Sequence, residues 1–415
     1  GNDMKFYLKM AWRNIFRNRK RTFLTGLIIG IGLASIMFTD AIVVGMKENM
    51  INSVTSSFLG GAQIHYAGLQ DSYDAEKTVA GRDRLVSALE TDAAVAGYTE
   101  RTASFGTISS PSDINSIILY GIDPQRERNI SRIDEAVVSG SYFKEDESDE
   151  MFGGVLIGSD LAERLEVTVG DRIVLSATNV QTDDLAQSMF RIAGIYTMQI
   201  DELDTSAAFI PLPQAQQMLG LEDRVHEIAV DFENVQYASL HGDQFAEAYS
   251  LEGNQAQPWP QLVPQMKKML DLTDFSVGIT MIIVFAVIIF GIINTLFMSL
   301  YERIFEFGVL RAVGTRAASL RKLIVFEAAS LAVYSSVIGL VLGTIIIYIG
   351  SINGMNLSGV EFAGATFTEE IKTVFRLRQF ILHPILIFLF TVIVSLYPAR
   401  YAGRMSITHA LQKTL

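Results

Sequence analysis

Four stretches of this chain, 23–44, 279–300, 323–349 and 380–397, carry almost no charge and are built mainly from Ile, Leu, Val, Phe and Gly. Each is close to the roughly 17–25 residues a helix needs to cross the hydrocarbon core of a bilayer. Hydrocarbon offers peptide groups no hydrogen-bond partner, so a chain crosses it as a helix or as a closed barrel, and apolar runs of this length select the helix. Between the first two stretches lies a polar block, 47–273, long enough to bury cores of its own. The expected fold class is membrane α-helical, with four transmembrane helices and a large extracytoplasmic (periplasmic) domain inserted between helices 1 and 2. The expected divisions are an interfacial elbow helix at 4–22, spans at 23–46, 274–300, 323–350 and 380–397, the inserted domain at 47–273, a coupling segment at 301–322, a short outer loop at 351–379 and a tail at 398–415.

Charge sets the orientation. Segment 4–22 has seven basic residues and no acid, loop 301–322 has five basic residues, and the tail has three. Because basic loops stay in the cytoplasm, both termini and the 301–322 loop are expected there, with the inserted block outside. That block holds 15 basic and 36 acidic residues, which speaks against nucleic acid as a partner. In 4–22, Phe6, Met10, Trp12, Ile15 and Phe16 recur among the basic residues at helical spacing, which predicts a helix lying in the headgroup layer.

Alternating or β-branched runs predict strands in the block at 62–66, 116–121, 172–176, 190–196, 207–210 and 227–231. Helical patterns fall at 82–90, 159–165, 213–219 and 238–249, so the block is α+β. Gly170-Asp171 reads as a turn. The acidic run 144–150 reads as a solvated loop, and the Pro-rich 257–265 as a stiff connector into the second span. Loop 351–379 is expected to form a short hairpin or helix.

Enzymatic chemistry is hard to place on this chain. It has no phosphate-binding G-x-x-x-x-G-K-[ST] loop, no G-x-S-x-G elbow and no H-E-x-x-H. Its five histidines lack metal-ligand spacing, and the absence of cysteine removes disulfides and thiolate sites. No catalytic residue and no metal site is expected. Three polar residues fall within or beside the spans, Asp40, Asn294 and Glu327. Such residues are candidates for function, although Asp40 is close enough to the outer border to reach it and Glu327 lies about one turn past Lys322, near the inner one.

The segment 294–320, NTLFMSLYERIFEFGVLRAVGTRAASL, ends one span and leads through a short charged helix into the next. Its residues Asn294, Met298, Ser299, Glu302, Arg303, Glu306, Gly308, Leu310, Arg311, Ala312 and Gly314 resemble the coupling region of FtsX/MacB-type permeases, the membrane halves of certain bacterial ABC transporters. Ala11–Ile15 near the start, the 155–175 stretch, and Pro398, Ala399, Arg400, Ala410 and Leu411 near the end are also similar to that family, although its usual proline near Thr408 is missing. The order of segments and the Trp-Pro connector look most like the LolC/LolE branch.

The resemblance implies a non-catalytic permease subunit that works with a second permease copy, identical or paralogous, and an ABC ATPase dimer. No cofactor is bound directly; ATP and Mg are used by the partner. Lipoproteins or other lipid-anchored cargo and a periplasmic carrier are implied by the LolC/LolE branch. A MacB-like efflux permease and an FtsX-like regulator of periplasmic cell-wall hydrolases are the alternatives. Glu302, Arg303, Glu306, Gly308, Val309, Leu310, Arg311, Ala312, Val313 and Gly314 are the expected ATPase-coupling residues. Val309, Leu310 and Val313 would enter an apolar groove and Arg311 would pair with acids there, with Gly314 ending the helix.

Overall fold

Among the described residues of the computed structural model, four helices are long and apolar enough to cross a membrane. The model describes residues 9–14, 16–143, 153–355, 361–362, 365–366 and 370–404. The acidic run 144–150, the 357–360 stretch and the tail from 405 lie outside them. A short helix, α1 (9–14), is followed by a 3-10 turn, Phe16–Asn18, and then by α2, Arg19–Val54. The later helices are α3 (Pro264–Glu302), α4 (Ile304–Ala312), α5 (Ala317–Asn353) and α6 (Leu377–Arg404). The shortest apolar helix, α6, has 28 residues. At 1.5 Å per residue it is about 42 Å long, against a hydrocarbon core of about 30 Å, so all four helices run past the apolar stretches read from sequence.

The helices form one compact unit and the inserted domain, from Glu48 to Met269, another. In the bundle, Ile29, Leu33 and Met37 of α2 pack with Ile288, Ile292 and Leu296 of α3, Leu331 and Ile347 of α5, and Ile387 of α6. Glycines bring the helices close. A Cβ on Gly30 would lie 2.8 Å from Ile338 Cγ2 and 3.1 Å from the backbone nitrogen of Gly339, so α2 and α5 touch almost backbone to backbone there. One on Gly32 would meet Ile288 of α3 at 2.7 Å. Lys47 and Asp274, 2.6 Å apart, tie α2 to α3 at the end away from α4.

Ten strands among the described residues build the domain's sheet: β1 (Ala62–Tyr66), β2 (Val95–Ser109), β3 (Ile114–Ile122), β4 (Val137–Gly140), β5 (Gly153–Gly158), β6 (Arg172–Thr178), β7 (Leu185–Tyr196), β8 (Ala207–Pro211), β9 (Glu227–Phe232) and β10 (Asn254–Pro258). The order is β10-β1-β9-β2-β3-β8-β5-β7-β4, with β6 bridging β2 and β7. Pairing is antiparallel except for β3–β8 and β5–β7. Helices Ser159–Leu165 and Leu212–Leu219 bury Leu161, Leu165, Ala215 and Leu219 against Val155, Ile157, Leu175 and Ile192 of the sheet. The Gly170-Asp171 turn is present: Gly170 has φ +95°, and the Asp171 carboxylate accepts from the Thr168 backbone N–H and hydroxyl.

One reading changes in detail and another takes one of its two expected forms. The Pro-rich 257–265 segment is more than a connector, because Trp259 is buried and its backbone N–H donates to the Gly61 carbonyl at 2.9 Å, closing the sheet at β10. In loop 351–379 the described residues Glu361–Phe362 pair antiparallel with Ala365–Thr366, the hairpin form of the expectation.

The domain's centre is unusually polar. On β2, Thr99, Glu100, Arg101, Thr102 and Ser104 are all buried. Arg101 is fully enclosed; it grips Glu127 with two hydrogen bonds of 2.6 and 3.0 Å, donates to Glu227 at 2.8 Å, and lies 3.7 Å from the Phe58 ring centroid. Unpaired, any of these charges would be costly to bury; together they satisfy one another. Beside them, His226 is buried, with Nδ1 accepting from the Ala103 N–H at 3.0 Å and Nε2 facing the Ala75 carbonyl at 2.9 Å. Those partners require the neutral ring with its proton on Nε2.

Two outcomes are expected. Burial holds the His226 pKa below its ordinary 6.5. The folded domain therefore binds fewer protons than the unfolded chain, and stability falls as pH drops below about 6.5, by up to about 1.4 kcal/mol per pH unit. Denaturation midpoints of the domain between pH 7.5 and 5.5 should show this slope, and His226→Asn should flatten it. Gly30→Leu overfills the α2–α5 contact, so it should lower the thermal midpoint of the detergent-solubilised chain by the equivalent of about 1–3 kcal/mol.

Candidate coupling site

The short helix α4 is made by two breaks. At Arg303 the backbone leaves helical geometry (φ −109°, ψ 14°), which separates α3 from α4. At the other end Gly314 adopts φ +98°, the Gly314 N–H reaches the Arg311 carbonyl at 3.1 Å and the Thr315 N–H reaches the Leu310 carbonyl at 3.0 Å. This pair of bonds is a Schellman cap, which needs a residue tolerant of positive φ, and glycine is the cheapest one. The helix is nine residues long and has two apolar sides. Ile304, Phe307 and Gly308 face inward, and Phe307 packs with Leu300, Leu320, Ile324, Ala399 and Ala402. Val309, Leu310 and Val313 face outward, with Val313 82% exposed, and Ala312 is exposed beside them.

Charges fasten the inward side. Arg303 donates to Glu327 of α5 at 2.7 Å and to Glu306 of α4 at 3.1 Å, and its guanidinium lies 4.9 Å from the Phe307 ring centroid. Asn14 of α1 donates to the same Glu327 at 2.7 Å, and Arg17 pairs with Glu306 at 2.7 Å. Arg21 of α2 pairs with Glu302 and donates to the Thr295 carbonyl at 3.0 Å. Arg17, then Arg303 behind it, hold the Glu306 carboxyl below the usual glutamate range. Asn14, Arg21, Ser299, Glu302, Arg303 and Glu327 are among the residues lining a cavity of about 330 Å³ beneath these pairs.

Most of the residues named from sequence fall on two sides of one site, and three others stand apart from that division. Glu302, Arg303, Glu306, Gly308 and Glu327 form the inner, fastening side of one site. Val309, Leu310, Ala312 and Val313 form its free surface, ended by Gly314. Arg311 also has a contact within the chain: Nη1 donates to the Gly403 carbonyl of α6 at 3.2 Å and so fastens α4 to α6. Asn294 lies exposed on α3. Asp40 stands apart from the site: its carboxylate meets His383 Nε2 of α6 at 3.2 Å, with the Gln379 side chain buried one turn away. Sequence reasoning missed Asn14, Arg17, Arg21 and His383. Arg17 and Arg21 are spaced i, i+4 and so share a helical face, which was the available signal.

Arg303→Ala would leave Glu327 with Asn14 alone in a nearly closed site, where side-chain exposure is 11%. The expected loss is about 3 kcal/mol of stability. Thermal unfolding of the solubilised chain measures it, and Arg303→Lys should recover part of the loss.

Comparison with known proteins agrees with this geometry. Residues 22–240, just over half the chain, match the family described as MacB-like periplasmic core domain, and residues 278–407 match the FtsX-like permease C-terminal family. A lipoprotein-releasing system transmembrane protein LolE from Haemophilus influenzae is 23% identical over 65% of this chain and 65% of its own length. LolC of the same system from Neisseria meningitidis is 19% identical over 74% of this chain and 75% of its own. A macrolide export ATP-binding/permease protein MacB from Burkholderia thailandensis is 23% identical over 98% of this chain and 60% of its own length. The chain thus spans somewhat under two thirds of the LolE and MacB relatives. With the MacB-like domain inserted after its first apolar helix and the FtsX-like region in its last three, this chain belongs to the FtsX/MacB-type permease family and resembles LolC and LolE.

Proposed function

We propose that this chain is a membrane subunit of an ABC transporter in the bacterial cytoplasmic membrane, with α4 as the handle that an ATPase grips from the cytoplasm. The observation that carries this reading is the two-sidedness of α4. Val309, Leu310 and Val313 stand exposed on a helix whose opposite side is fixed by Phe307, Arg303 and Arg311. A partner groove can bury the free side, while the fixed side passes the displacement to α3, α5 and α6. Since α2 and α3 lead into and out of the inserted domain, their movement reaches it through the chain itself. ATP and Mg belong to the ATPase, which works as a dimer beneath two permease copies.

The cargo we propose is a lipoprotein or another lipid-anchored molecule, extracted from the membrane and passed to a periplasmic carrier. It follows from the relatives named as parts of lipoprotein-releasing systems. An apolar space between α2 and α3 of two facing copies would suit acyl chains: Ile28 and Ile31 of α2 and Ile282, Ile283, Val287 and Phe290 of α3 are all at least half exposed. A second reading, MacB-like export, is favoured by one fact: the MacB match runs through 98% of this chain.

Val313→Asp combined with Leu310→Asp places charge on the free surface of α4 and leaves its packed side untouched. The ATPase that co-purifies with the native complex in mild detergent should be lost, with the thermal midpoint of the chain unchanged. Retention of the ATPase by that variant rejects the handle. Mass spectrometry of the native complex then separates the cargoes: acylated lipoproteins support extraction, and an adaptor protein without lipoprotein supports export.

A further inference from the structure

The N-terminal segment has no part in the coupling just described, yet its polar side chains converge on the handle. Two acids are shared. Glu327 accepts from both Asn14 and Arg303, each at 2.7 Å, and Glu306 meets both Arg17, at 2.7 Å, and Arg303, at 3.1 Å. Arg21 adds a third attachment through Glu302 and the Thr295 carbonyl. Aromatic contact supplies a fourth, with Phe16 edge-on to Tyr334 of α5 at 5.4 Å and Trp12 against Phe16 at 5.2 Å.

Apolar packing of α2 on α3 does not account for the Arg21 attachment. Between the start of α2 and the end of α3 lies the cavity of about 330 Å³, walled by Thr22, Thr25, Thr295 and Ser299 as well as by the ion pairs. Across that gap the helices are held by charge and hydrogen bonds. Farther along they meet through apolar side chains such as Leu33 and Ile292. A single exposed ion pair contributes little, but pairs that share partners restrain several segments at once.

We infer that α1, the 3-10 turn and the first turns of α2 form a third arm of the handle, so that α4 moves together with the start of α2 as one body. Asn14, Arg17 and Arg21 are its positioning residues. The consequence for function rests on the reading that α4 is gripped by an ATPase; the physical union does not.

The natural absence of cysteine makes the test direct, because introduced thiols label cleanly. Spin labels at Arg13→Cys and Ala312→Cys, both exposed positions, report the distance between α1 and α4 in the full-length chain in lipid nanodiscs without ATPase. A single narrow distance peak is expected. Arg21→Glu sets two carboxylates against each other and should broaden and shift the peak; Arg21→Glu with Glu302→Arg should narrow it again. Salt near 1 M shortens the screening length to about 3 Å and should broaden the unmutated peak. A peak that stays narrow through Arg21→Glu and high salt overturns the inference, as does one that the double exchange fails to restore. Because no ATPase is present, this result is independent of the Val313 and Leu310 test: a restored peak beside an ATPase that ignores α4 would keep the third arm and remove only the grip.

Discussion

Hydrocarbon cannot hydrogen-bond a peptide group, and the architecture of the helical unit follows from that constraint. Through the stretches that lipid would surround, α2, α3 and α5 close their own backbone bonds, while α6 carries Pro384 and Pro398 inside the helix and gives up one such bond at each. Breaks with exposed carbonyls and N–H groups fall outside those stretches. The break at Arg303 and the Schellman cap at Gly314 therefore lie just past the end of α3, where water or side chains can complete the backbone. A short helix between two such breaks is a separate piece, and that separateness makes α4 usable as a handle.

Close packing and charge hold the helical unit in different places. Through the apolar stretches, glycines let backbones approach, as at Gly30 and Gly339, and branched side chains fill what remains. Near the basic end α2 and α3 part around a polar cavity bridged by ion pairs, while Phe307 of α4 packs with Leu300, Leu320 and Ala399 beside it. Packing of the first kind resists deformation because overlap rises steeply with approach. Contacts of the second kind reach across several ångströms, respond to salt, and can yield and re-form. A unit stiff along its spans and ionic around α4 is what the proposed handle requires.

The inserted domain solves a related problem with its own groups. Arg101, Glu127 and Glu227 place charge in the middle of a sheet, enclosed by β2, β9 and the helix Pro124–Glu127. Beside them the neutral His226 joins the turn at Ala75 to β2 through its two ring nitrogens. These polar groups impose geometry that apolar residues could not: a shifted register would leave a buried charge without its partner.

Much of this protein was legible in its residues. Four apolar runs announced four helices, because length and the absence of charge are what a bilayer selects. Gly314 announced the end of α4, because few residues accept φ of +98°. Val309, Leu310 and Val313 could be named as a surface, being apolar on a helix too short and too charged to lie within the membrane. Strand β2 escaped notice, since its run Thr-Glu-Arg-Thr-Ala-Ser carries neither alternation nor apolar bulk, and only a surrounding sheet makes such residues interior. The partners of Arg17 and Arg21 escaped notice as well. Their carboxylates lie more than 270 residues away in the chain, and no local spacing records a contact of that range. Sequence alone determined which segments enter lipid and where the helices stop, because those depend on transfer energies and backbone preferences of nearby residues. The tertiary structure decided which charges meet, because an ion pair depends on distance in space, and that exists only once the helices have packed.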